Sequence, residues 1–395
     1  MSLAIFPPEL DDLFIQHLHD NVPSLAACGL VNRGWLALSR PLLFGEVVLR
    51  DKNYDAFLEL LTTPEALTFL AHVHTLSINR PDTDLDSADA FRDLVPRLAA
   101  LSHVRRLHLC FVSWVGVPTE ALDMLPNVFP NLVKIVSIFT TFGSPADFTA
   151  LVGRLVHLEE VAVQGAFLTD GDETSAAHDG ALPPPTTLAV VRTKIRSDDG
   201  NPFGYIARWL AKSPPAAFRT LEAGTLWPSA LPAVGALLAA VGPNLRQLDF
   251  ALLNHVTEQE ARTHLPLSVH APNLADLTLH IGLRRFHAPN RTRLHAPWAL
   301  LATATKALQT LTLVLTIDYI YMLDALDWAH LNSELRRLEN LQTISLLVHC
   351  HNTITDPEKL VGPNIRGRIE ADVAPRVKVE VEVLRSARMF TRLNN

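Results

Sequence analysis

The residues best equipped for chemistry in this 395-residue chain are its histidines, cysteines and carboxylates, and their spacing argues against catalysis. "HCH" (His349, Cys350, His351) sets two imidazoles on one side of a strand. That is a metal pair without a third ligand nearby, where zinc takes three or four. "HVTEQEARTH" (His255–His264) mixes His and Glu but matches no ligand spacing, and reads as a solvated helix face. No G-x-S-x-G, G-x-x-x-x-G-K-[ST], H-E-x-x-H or dinucleotide fingerprint occurs. The expectation is a chain that is not an enzyme and needs neither metal nor cofactor.

Composition limits the partners. A net charge of −7 is wrong for wholesale phosphate neutralisation, so nucleic acid is not an expected partner. Cys28, Cys110 and Cys350 are far apart and odd in number, which suits a reducing compartment better than a disulfide framework. "MSLAIFPPELDD" has no basic n-region of a signal peptide. The uncharged stretch Ala223–Leu245 is interrupted by Pro228, Pro232 and Pro243. Only "AVGALLAAV" (Ala233–Val241) is a clean apolar helix, too short to span a membrane and expected to be buried.

The elements that would position any binding residue follow from a recurrent phrase. "GPNLRQLDF" (Gly242–Phe250) returns as "APNLADLTL" (Ala271–Leu279), and both carry apolar-x-x-apolar-x-apolar. Taking the middle apolar residue of each copy as a mark gives Val47, Leu76, Leu107, Ile135, Val161, Leu188, Leu221, Leu248, Leu277, Leu311 and Ile344, spaced by 26 to 34 residues. Each hexad alternates like a short strand. The segments between, such as "AFLELLTT" (Ala56–Thr63) and "ALLAAVG" (Ala236–Gly242), have helical spacing. One strand and one helix cannot bury their own apolar faces, whereas stacked copies can. Pro-Asn before several strands is helix-to-strand turn chemistry.

The pattern over Val47–Leu346 resembles the leucine-rich-repeat family, in its longer-period form with a full helix per repeat. The fold class implied is α/β: a short all-α N-terminal unit, then a curved solenoid with parallel strands on the concave side and helices on the convex side. "RVKVEVEVL" (Arg376–Leu384) is expected as a further strand closing the far end as a cap. Polar insertions at Thr169–Thr187 and Arg196–Gly204, and the basic "RRFHAPNRTRLHAPW" (Arg284–Trp298), are expected as surface loops.

Residues between the buried positions of each strand would line the concave face. The candidates for contact with a protein or peptide substrate are Arg106, His108, Glu160, Gln247, Asp249, Asp276, Thr278, His280, Thr312 and Ser345. Mixed charge and small polar groups suit a protein surface better than a polyanion.

Before the repeats, Ile5–Phe44 reads as three short helices. Pro7 and Pro8 open the first, with Leu10, Leu13, Phe14 and Leu18 on one face. Pro23 opens a second, expected to run through Gly29 and Gly34 with Leu25, Cys28, Val31 and Trp35 in one stripe; Pro41 is expected in the first turn of a third. So small a unit needs a neighbour to complete its core.

This segment, "FPPEL" followed by spaced aliphatics, "LVNRGW" and a closing "LLF", resembles an F-box, departing from the consensus at Phe6, Asp11 and Asn32. The resemblance implies residues 1–45 as an F-box-like domain and 46–395 as the repeat solenoid with its cap. It implies docking of Pro7, Leu10, Phe14, Leu18, Leu25, Val31 and Trp35 into a Skp-type adaptor of a cullin–RING ubiquitin ligase. The repeats would hold a substrate, in the cytoplasm or nucleus. The alternative is a leucine-rich scaffold whose degenerate F-box only caps the solenoid. The two differ in whether the Leu10, Phe14 and Leu18 face is exposed.

Overall fold

The computed structural model describes residues 8–63, 67–79, 88–167, 182–196, 202–252, 256–283, 296–350, 354, 356–373 and 377–385. The chain divides into two compact units, Met1–Thr169 and Asp170–Asn395.

The first unit opens with three helices, α1 (Pro8–Gln16), α2 (Val22–Cys28) and α3 (Arg33–Phe44). Strands and helices then alternate: β1 (Glu46–Leu49), α4 (Asp51–Leu60), α5 (Leu67–Leu70), β2 (Thr75–Asn79), α6 (Ala88–Arg97), β3 (Arg106–Cys110), α7 (Thr119–Val128), β4 (Lys134–Phe142), α8 (Pro145–Arg154) and β5 (Glu160–Phe167). The five strands pair in parallel in chain order. The hexads do what their spacing requires. Leu76 and Ile78, Leu107 and Leu109, and Val161 and Val163 are all buried, while the residues between them stay on the open face. Val47, Leu76, Leu107, Ile135 and Val161 stand opposite one another on a single rung.

The second unit repeats the scheme. It holds β6 (Val190–Arg196), α9 (Pro202–Lys212), β7 (Thr220–Leu226), α10 (Leu231–Val241), β8 (Gln247–Leu252), α11 (Glu258–His264), α12 (Leu267–His270), β9 (Asp276–Gly282), α13 (Ala296–Ala302), β10 (Thr310–Ile317), α14 (Trp328–Arg337), β11 (Thr343–Cys350), α15 (Pro357–Val373) and β12 (Lys378–Arg385). Its seven strands are again parallel and in chain order. This is the expected α/β repeat architecture of the leucine-rich type. Helices follow one another on the covered face, α9 against α10, α10 against α11 and α14 against α15.

One register expectation needs correction. Leu221 pairs with Val191, not Leu188; Leu188 is the fully buried first leucine of that copy, three positions earlier. The third buried position there is Thr193, whose hydroxyl donates to the Glu222 carbonyl, and its polarity hid the copy. The last strand also carries a rung position, Val379 opposite Ile344. Arg376 in place of the first apolar residue disguised it.

The repeated Pro-Asn phrase has a specific physical purpose. Asn131, Asn244 and Asn273 of that phrase, and Asn340 at the same place after Glu339, each donate a side-chain amide hydrogen bond to the previous repeat. The acceptors are the carbonyls of Ser102, Ala216, Pro243 and Lys306, all at the same point of their repeats. Proline is tolerated before the Asn because that position supplies a carbonyl and no amide. The backbone adds its own stitch at each corner, as where the amides of Arg246 and Gln247 both donate to the Arg219 carbonyl. Close helix packing needs small residues: a Cβ on Gly242, at the end of α10, would overlap the His270 carbonyl.

The N-terminal helices differ from expectation. α2 stops at Cys28, Gly29 caps it, and Asn32 starts α3 by accepting a hydrogen bond from the Trp35 amide at 2.9 Å. Gly34 and Trp35 therefore belong to α3, and Pro41 lies inside that helix. An N-cap asparagine outweighed the apolar stripe, because it satisfies an amide that a continuous helix would have bonded elsewhere. α10 is the buried apolar helix anticipated. Among the described residues no helix is long and apolar enough to cross a membrane.

Candidate protein-interaction surfaces

α1–α3 close over a small core of Ile15, Leu25 and Cys28, with Leu18, Trp35, Leu38 and Leu43 packed against it. Leu25 was expected to face a partner; it is instead fully buried, because it points between α1 and α3 where the unit has little else to bury. What remains outside is apolar. Leu10 is 49% exposed, Phe14 55%, and Leu13, Val22, Leu30 and Val31 are exposed as well. Leu18 and Trp35 are half-buried, and the Phe14 and Trp35 rings lie 5.6 Å apart. Pro7 lies outside the described residues. The other end of the unit is engaged: the Phe44 ring sits 5.0 Å from Phe69 of α5.

On the open face of the first unit, Glu46, Thr75, Arg106, Lys134 and Glu160 form one cross-strand rung. Lys134 pairs with Glu160 at 2.9 Å. Arg106 is exposed and has no ion-pair partner among the described residues. On the neighbouring rung, the Ser77 hydroxyl donates to Glu46 Oε1 at 3.1 Å and lies 3.4 Å from His108 Nδ1. Desolvation lowers the His108 pKa below its ordinary value, Glu46 opposes that shift, and Lys134 and Arg106 add to it. Lys134 and Glu46 were not among the predicted contact residues, although Lys134 sits at the same hexad position as Arg106 and Glu160.

The open face of the second unit is organised by pairs between neighbouring strands. Asp249 bonds His280 at 2.8 Å, and Arg192 pairs with Glu222. Thr220 donates to Gln247 at 3.1 Å, and Gln247 donates to Asp276 at 3.2 Å. Asp249, Thr278, Thr312 and Ser345 stand on one rung. Of the predicted residues, Asp249 with His280 and Gln247 with Asp276 thus touch. Thr278, Thr312 and Ser345 form a hydroxyl row. Arg192 was missed because its strand was read three residues out of register.

Beyond the hexads of β3 and β4 lies a feature that the repeat pattern does not reach. Phe111 follows β3 with φ 59°, and Phe139 within β4 has φ 54°. Both rings are exposed, at 40% and 49%, and they stack with centroids 5.0 Å apart and planes 16° off parallel. The register with β5 shifts between Ile138 and Thr140, so Phe139 is the extra residue of a bulge.

Elsewhere the chemistry is quiet. Cys350 is buried and its thiol is pushed up to about 11 by desolvation. His351, the other half of the anticipated histidine pair, lies outside the described residues, as does His255. Among the described residues no three His, Cys, Asp or Glu side chains gather as a metal site. α11 is the solvated helix expected, with Thr257 and Glu260 forming a capping box and Arg262 paired to Glu258.

No family model matches the chain, and no curated protein matches it. Solved structures similar to it include the leucine-rich-repeat-containing protein LegL7 from Legionella pneumophila. That match is at 13% identity with a TM-score of 0.44, covering 86% of this chain and 91% of that one. The yeast Rad7 and Elc1 complex matches at 13% identity and a TM-score of 0.39, covering 94% and 92%. A Bacteroides fragilis protein matches at 11% and 0.38, covering 85% and 73%. These likenesses are distant, and the repeat architecture rests on the strand register itself.

Proposed function

We propose that this chain is a substrate-recognition subunit of a cullin–RING ubiquitin ligase, with α1–α3 docking a Skp-type adaptor and the repeats holding a protein substrate. The work is non-covalent: the chain needs no catalytic group, metal or cofactor, because the ubiquitin chemistry is supplied by other subunits. Its place is the cytoplasm or nucleus, where such ligases operate.

The exposure of Leu10 and Phe14 carries this reading. An apolar helix face left uncovered by its own unit costs free energy in water and is a feature of association surfaces. α1 offers such a face at helical spacing, in the manner of helix-in-groove recognition. The capping reading has one observation in its favour, the packing of α3 on β1 and α5. It accounts for Phe44 and leaves Leu10 and Phe14 unexplained, so α3 caps while α1 docks.

The test is co-purification of the full chain with the Skp-type adaptor, beside a Leu10→Asp/Phe14→Asp variant. Both side chains are exposed, so the variant should melt within a few degrees of the parent. Adaptor retained by the parent and lost by the variant supports the docking role. A folded parent that captures no adaptor overturns it and leaves an interaction scaffold.

A further inference from the structure

Phe111 and Phe139 occupy a backbone conformation that strains a bulky residue and that glycine adopts freely. The second unit shows the cheaper solution: at the register shift in β7 the residue with φ 65° is Gly224. In the first unit phenylalanine takes the positive φ instead, at the bulge in β4 and just past the end of β3, and both rings stay in water. Neither burial nor backbone economy explains them. A flat aromatic platform held ready does.

The surroundings select the occupant. β3 and β4, "RLHLC" and "KIVSIFTTF", contain Arg106, His108 and Lys134 and no carboxylate. A cationic side chain on the rings would find no counter-charge on these strands. An uncharged ring or aliphatic group fits, proline above all, since its rigid ring loses little entropy on stacking. At the other end of the same strand Arg106 is exposed and unneutralised among the described residues, Lys134 being held by Glu160. Arg106 opens β3 and Phe111 directly follows its last residue, five positions on, roughly 17 Å at about 3.3 Å per residue. An extended peptide covers that distance in about five residues.

We infer that β3 and β4 form a binding site for an extended segment of a partner protein, in which an acidic residue meets Arg106 and a prolyl or aliphatic residue about five positions away stacks on Phe111 and Phe139. This gives a substrate class to the receptor reading above and rests on that reading only for calling the segment a substrate.

The experiment uses the full chain and a fluorescent, end-blocked heptapeptide, Asp-Ser-Thr-Ser-Thr-Pro-Leu, followed by anisotropy. Saturable binding is expected, weakened about tenfold or more when the aspartate is replaced by lysine or the Pro-Leu end by Ser-Ser. The variant Phe111→Gly/Phe139→Gly should lose the dependence on Pro-Leu while its melting temperature holds or rises, since glycine relieves the backbone. Arg106→Glu should reverse the preference between aspartate and lysine. The absence of saturable binding to the parent overturns the inference, and so does equal binding to the double-glycine variant. The Leu10→Asp/Phe14→Asp chain should bind the peptide normally, so failure of adaptor docking and failure of this site are read separately.

Discussion

α1 and α10 are built from the same aliphatic vocabulary and meet opposite fates. In α10, Leu231, Val234, Leu237, Leu238 and Val241 are all buried, and small residues let neighbouring backbone approach. In α1, Leu10, Leu13 and Phe14 are exposed, and among the described residues of that helix only Ile15 is fully enclosed. A repeat helix has a strand beneath it and a helix of the next repeat beside it. α1 has α2 and α3 on one side and water on the other, within the described residues. The difference teaches that apolar content measures the capacity to bury surface, and that the neighbours decide whether it is used inside the chain or offered to a partner.

The sharpest test of that contrast is one truncation made twice. Leu238→Ala should cost about 2–5 kcal/mol in chemical denaturation, as buried leucine truncations do. Leu10→Ala should cost under about 0.5 kcal/mol. A large loss at Leu10 would mean that α1 is part of the fold's core and would remove the basis for docking.

A smaller effect probes what holds the repeats in line. Asn273→Ala removes the amide that reaches the Pro243 carbonyl and should lower stability by about 1 kcal/mol. The same substitution at Asn53, an exposed side chain that caps α4 by accepting from the Arg50 amide, should cost a comparable amount by a local route. Combining Asn273→Ala with Asn244→Ala would separate the two kinds of contact: loss beyond additivity is expected for neighbouring stitches and not for a distant cap.

The smallest effect is a pH dependence confined to the open face. The folded-state pKa of His108 lies below its ordinary value of 6.5, so the folded chain binds fewer protons there than the unfolded chain. That contribution is present above pH 6.5 and is lost as the pH falls through this value toward the folded pKa. Glu46, Lys134 and Arg106 are the charged groups that act on it. His108→Gln should flatten the fall of the melting temperature below pH 6.5, and an unchanged slope would show that His108 is solvated in the native state.

Much of the fold was legible because the hexad is a local record of burial. Leu107 with Leu109, and Leu248 with Phe250, announce a strand with one wet face wherever they stand. Reading failed where polar atoms took apolar places. Thr193 can be buried because the Glu222 carbonyl accepts its hydroxyl hydrogen bond, and no sequence pattern records that. The break between α2 and α3 was misplaced because Asn32 looks the same whether it caps a helix or rides inside one.

The candidate surfaces divide along the same line. Residue types and the 26- to 34-residue interval were enough to determine an α/β repeat, its parallel strands, its buried leucines and a helical N-terminus. Those properties depend on neighbours within a few residues and on their repetition. The tertiary structure alone decided that Leu25 is core while Leu10 and Phe14 are surface. It alone paired Asp249 with His280, and it set Phe111 beside Phe139. Each of these depends on which distant atoms remove water from a side chain, and that is a property of the packed chain.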